Sequence, residues 1–248
     1  MAEPYYQDDH VTIFQGEALA VLRDLPTGSV DHIVTDPPYS SGGMMRGDRT
    51  QPTGTKYQNS DVAATYDDFT GDNRDQRSHC YWMALWLDEC RRISKPGAIC
   101  AMFTDWRQLP TATDAIQSGG WVWRGISVWG KSSARPVPNR FSAQCEYVVW
   151  GTNGPRDMSD AKNATYADGM FVAPPPRNRV HMTQKPVDVM RWILSFAKPG
   201  DVVLDPFMGS GSTIEAAKQM GCKAIGIERE APWCQYGVER SAQEVLAL

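Results

Sequence analysis

Short apolar runs alternate with amphipathic segments along most of the chain. Buried-type strands are predicted at 30–35, 98–104 and 202–207, and shorter strands at 10–16 and 223–228. The segments between and around them predict helices, at 17–26, 78–97, 109–120, 185–201, 212–221 and 231–246. Ser78 is the expected cap of the second helix. Strands that alternate with helices in this way are typical of an α/β fold with a mostly parallel, doubly wound sheet.

Two further strands, at 121–130 and 143–151, are close in sequence and predict an antiparallel pair at one edge of the sheet. The stretch 151–179 after them reads as irregular and proline-rich. Residues 40–77 contain neither Leu nor Ile and have five glycines, so this segment contributes little to a core. A loop of that length within a compact domain is usually functional or disordered.

The length of 248 residues fits one domain, and residues 1–248 are predicted as such. The six cysteines are scattered without a C-x-x-C pair, which argues against a zinc site and a disulfide framework and favours reduced thiols. No signal peptide and no apolar run of transmembrane length is seen. We therefore expect a cytoplasmic protein without a bound metal and without a membrane partner.

The net charge of −4 is unevenly distributed. Residues 124–198 carry 11 basic and 5 acidic side chains, most of them in loop-like sequence, whereas the flanking regions are acidic. A basic face of this kind suits a polyanion such as nucleic acid. A solvated surface would give the same pattern, so charge alone leaves both interpretations open.

The segment "TDPPYS" follows the strand at 30–35 and places Asp36 directly before Pro37 and Pro38. An Asp-Pro-Pro sequence is a common way to end a strand. The same residues at the carboxyl end of a parallel strand are also well placed to contact a ligand. Taken alone, the segment supports both interpretations.

The segment "VVLDPFMGSGST", residues 202–213, combines a strand, an acid, a glycine-rich turn and the start of a helix. Gly209 and Gly211 allow a close approach of backbone to a ligand. A dinucleotide fingerprint would need a third glycine where Ile214 stands, and a P-loop would need a lysine after the glycines. Glu228, at the end of the next strand, is suited to accept hydrogen bonds from a ribose diol. A nucleoside without phosphates fits these features, and S-adenosylmethionine is the common one.

The three segments "TDPPYS", "HMTQKP" and "LDPFMGSGST", in this order, resemble the amino-group DNA methyltransferases of the β arrangement, and other stretches resemble small phage and prophage methylases. The resemblance implies a Rossmann-like fold for an S-adenosylmethionine-dependent methyltransferase, with circularly permuted motifs and an antiparallel edge strand. It implies methyl transfer to the exocyclic N6 amine of an adenine flipped out of double-stranded DNA. The DPPY form favours adenine N6, whereas SPPY would favour cytosine N4, which is the alternative.

The resemblance assigns catalysis to four consecutive residues, Asp36, Pro37, Pro38 and Tyr39. The Asp36 carboxylate and the Pro37 carbonyl would accept both N–H groups of the amine, and neither proline offers a competing backbone donor. With an ordinary pKa of about 3.9, Asp36 is too weak a base to deprotonate a neutral amine in advance. Tyr39 would stack on the flipped base.

The resemblance also assigns residues to the cofactor. Glu17 stands where the family usually has Asp, which puts that contact in doubt. Asp105 either faces the cofactor or caps a helix, and His181 is expected to be structural. The predicted cofactor-binding residues are Glu17, Asp36, Thr183, Lys185, Asp205, Phe207, Gly209, Ser210, Gly211, Thr213 and Glu228.

Contacts with DNA are predicted in two segments. Segment 40–77 is expected to be a mobile loop that folds over DNA, with Arg74 among the residues that face phosphate, and a merely mobile insert is the alternative. Segment 131–180 is expected to hold the target-recognition region. Because that region is short, either the target is short or a second copy of the chain shares recognition, as in a homodimer. The predicted DNA-binding residues are Arg46, Arg49, Lys56, Arg135, Arg140, Arg177 and Arg179.

Two other functional classes remain open from the sequence. A protein or RNA amino-methyltransferase is disfavoured, because such enzymes usually begin the catalytic tetrapeptide with Asn and place the glycine motif ahead of it. An inactive DNA-binding protein is the non-enzymatic alternative. The presence of all residues needed for the chemistry argues against it.

Overall fold

The computed structural model describes residues 2–40, 74–133, 136, 138–139, 141–157, 164–176 and 184–242. Within these ranges nine strands form one sheet in the order β1-β2-β9-β8-β3-β4-β6-β5-β7. The strands are β1 Tyr6–Gln7, β2 Val11–Gln15, β3 Val30–Thr35, β4 Ser94–Thr104, β5 Val122–Gly130, β6 Cys145–Thr152, β7 Met170–Val172, β8 Val202–Asp205 and β9 Lys223–Glu228. The helices are α1 Ala18–Asp24, α2 Gln76–Ile93, α3 Leu109–Ser118, α4 Val187–Ile193, α5 Ser212–Gln219 and α6 Ala231–Ala242.

The five central strands, β2, β9, β8, β3 and β4, run parallel to one another. Strand β6 pairs antiparallel with both β4 and β5, which confirms the predicted antiparallel pair. The predicted mostly parallel, doubly wound sheet is therefore confirmed. The helices that link these strands fall on the two faces of the sheet.

Alternating side chains of the strands contribute to two separate cores. Ile33 and Leu204 face one core, which they share with α1, α2 and α3. Val34 and Val203 face the other, which they share with α4, α5 and α6. This two-sided burial explains why the central strands carry apolar side chains on both faces.

The strand order reverses between β3 and β8. The chain runs from β3 to β4 in one direction across the sheet, and from β8 to β9 in the other. Strands β3 and β8 are direct parallel neighbours, with Ile33 opposite Leu204. The carboxyl ends of these two strands therefore form the topological switch point, where ligands of open α/β sheets bind.

Several element boundaries differ from the sequence prediction. Strands β1 and β7 were not predicted, because two or three residues are too few to show a periodic pattern. Helix α2 begins at Gln76, inside the predicted loop 40–77, since Asp75 rather than Ser78 caps it by accepting from two backbone amides. Helix α4 ends at Ile193, whereas the prediction extended it to residue 201. Between these positions, hydrogen bonds from residue i+3 to residue i form turns instead of a helix.

Membrane-spanning helices, metal-binding groups and disulfide bonds are absent from the described residues. None of its helices has both the length and the apolar character needed to cross a membrane. In the same residues no group of three or more His, Cys, Asp or Glu side chains is arranged to hold a metal ion. All six cysteines are free thiols.

A buried carboxylate joins the two strands of the switch point. Asp205, at the end of β8, is 2% exposed. Its Oδ1 accepts the Thr35 hydroxyl of β3 at 2.7 Å and the Phe207 backbone N–H at 3.0 Å. Its Oδ2 accepts the Thr213 hydroxyl of α5 at 2.6 Å. One side chain thus fixes β3, β8, the following loop and α5 relative to one another.

Replacing this carboxylate by an amide of the same shape should change how stability depends on pH. Burial raises the pKa of Asp205 to about 6, despite the hydrogen bonds from Thr213 and Thr35, whereas the unfolded value is about 3.9. Between these values the folded state binds more protons, so the contribution of Asp205 to stability falls as pH rises. Relative to Asp205→Asn, we expect the free energy of unfolding to fall by roughly 2–3 kcal/mol between pH 4 and pH 6. Urea unfolding of both proteins across this range measures the difference, and parallel pH profiles would contradict the prediction.

Candidate active site

The candidate site lies at the carboxyl ends of β3 and β8. Asp36 follows the last residue of β3, and Asp205 is the last residue of β8. The hydrogen bond between Thr35 and Asp205 holds the two strand ends together. The segments "TDPPYS" and "LDPFMGSGST" are therefore side by side, although about 170 residues of sequence separate them.

Both segments line a single cavity of about 1090 Å³. Asp36 to Tyr39 line one part of it, and the loop from Asp205 to Ser210 lines another. A volume of this order exceeds that of most single-ligand pockets, so two small groups can lie in it side by side.

The Asp36 carboxylate is held by two side chains. Its Oδ1 accepts the Tyr39 hydroxyl at 2.6 Å, and its Oδ2 lies 2.5 Å from Lys185 Nζ. The Lys185 side chain is only 5% exposed. Lys185 was predicted at the cofactor, whereas the structure pairs it with Asp36 of the predicted catalytic tetrapeptide.

A second carboxylate, Glu146 of β6, completes this cluster. Its Oε2 lies 3.3 Å from Lys185 Nζ and 3.1 Å from the Tyr39 hydroxyl. Its Oε1 lies 2.5 Å from Lys131 Nζ. Glu146 was not predicted, and the signal for it was a lone acid within the otherwise apolar strand sequence "CEYVVW".

Burial and the charges of the cluster shift the pKa values of Asp36, Glu146 and Lys185. Burial raises the pKa of Asp36, and the charge of Glu146 adds to this against the effect of Lys185. Burial acts in the same sense on Glu146, but Lys185 and Lys131 outweigh it and lower its pKa to about 2. Burial would lower the pKa of Lys185, but Asp36 and Glu146 raise it above its ordinary value. Lys185 is thus a cation between two carboxylates at neutral pH.

The glycine-rich loop forms the other side of the cavity. Gly209 and Gly211 have φ values of 50° and 76°, in the left-handed region that favours glycine. Gly211 is the N-cap of α5, so the loop leads directly into the free amides of the first turn. The Ser212 hydroxyl donates to the Lys185 carbonyl at 2.8 Å, which ties this loop to the segment that carries Lys185.

Glu228 ends β9 beside the glycine-rich loop. Its Oε2 accepts the Gly209 backbone N–H at 2.9 Å, and its Oε1 accepts the Glu230 backbone N–H at 2.9 Å. Burial raises its pKa against the effect of these bonds. Three backbone N–H groups, those of Gly209, Arg229 and Glu230, thus act on this carboxylate, and its four lone pairs leave room for a donor in the cavity.

The structure gives two other predicted residues a structural contact. Glu17 is the N-cap of α1, and its Oε2 accepts the Ala20 backbone N–H at 2.9 Å. Asp105 accepts the backbone N–H groups of Arg107 and Gln108, so it caps the turn that leads into α3. Both acids nevertheless line the cavity.

Other predicted residues lie outside the described ranges, where their predicted roles stay predictions. His181 and Thr183 are among them, as are all the predicted DNA-binding residues: Arg46, Arg49, Lys56, Arg135, Arg140, Arg177 and Arg179. In the described part, the cavity is lined by Arg74, Arg107 and Lys131 together with Trp106, which is 60% exposed. Only Arg74 of these four was considered at the sequence level.

Comparison with known proteins gives related sequences and folds. A curated relative, the type II methyltransferase M.HinfI of Haemophilus influenzae, is 28% identical over 258 residues, which cover 92% of this chain and 67% of the relative. The crystal structure of an M1.HpyAVI–SAM complex has a TM-score of 0.67 at 23% identity and covers 94% of this chain and 99% of the other. PvuII DNA methyltransferase, described as cytosine-N4-specific, has a TM-score of 0.74 at 14% identity, with 99% and 91% covered. At these identities the two structures show the fold alone.

A family model described as DNA methylase matches residues 30–239, which span both segments of the cavity. The match covers well over half of the chain and includes every strand from β3 to β9. This chain therefore belongs to the DNA methylase family of N6 and N4 amino-methyltransferases.

Proposed function

We propose that the protein transfers a methyl group from S-adenosylmethionine to the exocyclic N6 amine of an adenine in double-stranded DNA. The observation that carries the proposal is the single cavity shared by the Asp36 tetrapeptide and the glycine-rich loop at the switch point. Membership of the DNA methylase family supplies the class of reaction and of substrate. S-adenosylmethionine, when bound, supplies an electrophilic methyl group on a sulfonium.

The residues around the glycine-rich loop fit this donor. Gly209 and Gly211 bring the backbone close to the cavity without the lysine that a triphosphate would need. Glu228 offers carboxylate lone pairs for the ribose hydroxyls at the end of the adjacent strand. Asp205 is 2% exposed and accepts from Thr35, Phe207 and Thr213, so it orients the loop from beneath.

The tetrapeptide side fits the acceptor. The lone pair of an exocyclic amine is delocalised into the base, so the site must return electron density to the nitrogen. Asp36 and the Pro37 carbonyl accept the two N–H groups, which favours a tetrahedral nitrogen whose lone pair points towards the methyl group. Methyl transfer would form the N–C bond as the S–C bond of the donor breaks, and the nitrogen, made more acidic by this, would release one proton to solvent.

The mouth of the cavity suits DNA. Arg107 lies over the Trp106 ring at 5.5 Å, and Arg74 lies over the Trp82 ring at 4.5 Å. These groups offer cations for phosphates and an exposed aromatic face for a base. Segments 40–77 and 131–180 are proposed to complete this surface, as loop and as recognition region, although β6 within the latter belongs to the sheet.

The base and atom can be identified directly. Plasmid DNA from cells that express the protein should contain N6-methyladenine after enzymatic digestion, because the tetrapeptide begins with Asp rather than Ser. Mass spectrometry of the nucleosides separates this product from N4-methylcytosine. DNA from cells that express Asp36→Ala is the control for host methylation. If the product is N4-methylcytosine, the target base is cytosine and not adenine. If neither methylated base is found, the proposed function is refuted.

Removal of the Asp36 carboxylate should abolish turnover and leave donor binding intact. We expect Asp36→Ala to lower kcat by about 1000-fold or more, the scale for a preorganised electrostatic contact to the reacting group. Binding of S-adenosylmethionine, measured by calorimetry, should change by less than about fivefold, since Asp205 and the glycine-rich loop remain in place. Asp88→Ala is a matched control, because Asp88 is an exposed acid on α2 that pairs with Arg91. Turnover that persists in Asp36→Ala would refute the role of Asp36.

Removal of the Glu228 carboxylate should have the reverse effect. Glu228→Ala should weaken binding of S-adenosylmethionine by about 10- to 100-fold, the scale for two lost hydrogen bonds to a charged group. At saturating donor, kcat should stay within about threefold of the original value, because the contact is equal in the ground and transition states. Glu239→Ala, in the exposed part of α6, is the control. An unchanged dissociation constant would contradict the ribose contact.

A further inference from the structure

Glu146 is a member of the buried cluster to which the chemistry above gives no role. It lies on β6, remote in sequence from both Tyr39 and Lys185, and its side chain is 16% exposed. It contacts the Tyr39 hydroxyl and Lys185 Nζ through one oxygen, and Lys131 through the other. It does not contact Asp36 directly in any described hydrogen bond.

The need for a second carboxylate follows from how Asp36 is engaged. The Tyr39 hydroxyl, at 2.6 Å, and Lys185 Nζ, at 2.5 Å, already donate to its two oxygens. An ammonium that paired with Asp36 alone would neutralise its charge and weaken its attraction for the N–H groups of an amine. The single hydroxyl proton of Tyr39 would likewise occupy a lone pair that the amine needs.

We infer that Glu146 is a positioning residue that keeps Asp36 available to the target amine. This inference rests on the proposed function. The Glu146 carboxylate lies within 3.1 Å of the Tyr39 hydroxyl, so Tyr39 can rotate its proton from Asp36 to Glu146 when an amine arrives. Lys185 has three N–H groups and is shared between the two carboxylates.

The distribution of charge supports this assignment. Asp36 and Glu146 together carry two negative charges against the single positive charge of the buried Lys185. The fourth charge, Lys131, lies on the far side of Glu146 and is 24% exposed, so solvent screens it more than it screens Lys185. The face that Asp36 turns towards the cavity therefore stays negative.

Glu146 itself remains ionised. Lys185 and Lys131 outweigh the effect of burial and hold its pKa at about 2. It is therefore a poor proton acceptor at neutral pH, and its contribution is to accept hydrogen bonds from Tyr39 and Lys185. The proton that the amine releases therefore goes to solvent rather than to Glu146.

The test is the isosteric variant Glu146→Gln. It removes the negative charge that attracts the Tyr39 hydroxyl and Lys185 Nζ away from Asp36. We therefore expect kcat for DNA methylation to fall about 100-fold. Binding of S-adenosylmethionine, measured by calorimetry on the full chain, should stay within about threefold, because Glu146 lies away from the glycine-rich loop. Glu89→Gln, which removes a comparable ion pair with Arg92 on α2, is the control and should keep its activity.

The pH profile of kcat gives a readout that a merely structural role would leave unchanged. The charged or titratable groups that face Asp36 are Tyr39, Lys185, Glu146 and Asp205, and the negative charge of Glu146 raises the pKa of Asp36. In Glu146→Gln the acid limb of the profile should therefore move to lower pH. In Glu146→Asp, which keeps the charge but withdraws it from Tyr39 and Lys185, kcat should fall about 10-fold while the acid limb stays in place.

Several outcomes would overturn the inference. They are a kcat of Glu146→Gln within twofold of the original, a loss of donor binding as large as the loss of kcat, and an acid limb that does not move. Should circular dichroism show that Glu146→Gln does not fold, Glu146→Asp carries the test, and an unreduced kcat in that variant overturns the inference. If the unmutated protein forms no methylated base, the proposed function is refuted. If the unmutated protein and Glu146→Gln are equally active, only the role of Glu146 is refuted.

Discussion

A buried carboxylate at the junction of β3 and β8 is the constraint on which the site depends. An ionised group in such a position is tolerated only when donors surround it. Asp205 obtains them from Thr35, Thr213 and the backbone of Phe207, which belong to three different elements. Satisfying one carboxylate thus positions the end of the acceptor strand and the start of the donor-side helix at once.

The same requirement shapes the acceptor side. Asp36 and Glu146 can be buried side by side only because Lys185 lies between them and Lys131 closes the cluster towards solvent. The segment that carries Lys185 is fixed in turn by the Ser212 hydroxyl at the start of α5. The donor loop and the acceptor cluster are therefore mechanically linked through a few hydrogen bonds, which matters for a reaction that requires alignment within about 0.5 Å.

The sequence allowed the central sheet and the two halves of the site to be predicted, because the central strands carry apolar residues on both faces and each motif follows such a strand. It did not reveal the partners of Asp36. Lys185 belongs to the segment "HMTQKP", but its contact with Asp36 depends on how α5 packs against that segment. Glu146 is a single acid whose partners are far away along the chain, and an acid in a strand is more often exposed. The two shortest strands carry no periodicity, and the start of α2 was missed because Asp75 and Ser78 are equally good caps by residue type.

The permuted order of the motifs is compatible with the site because the two strands are held at both ends. At the carboxyl ends, Thr35 donates to Asp205. At the amino ends, the Asp31 carboxylate accepts the Val202 backbone N–H at 3.0 Å, and His32 lies 3.1 Å from Asp201. Two sets of contacts along a short pair of strands oppose sliding of one strand past the other. Since these contacts depend only on adjacency in the sheet, either half of the site can come first in the chain without a change in its geometry.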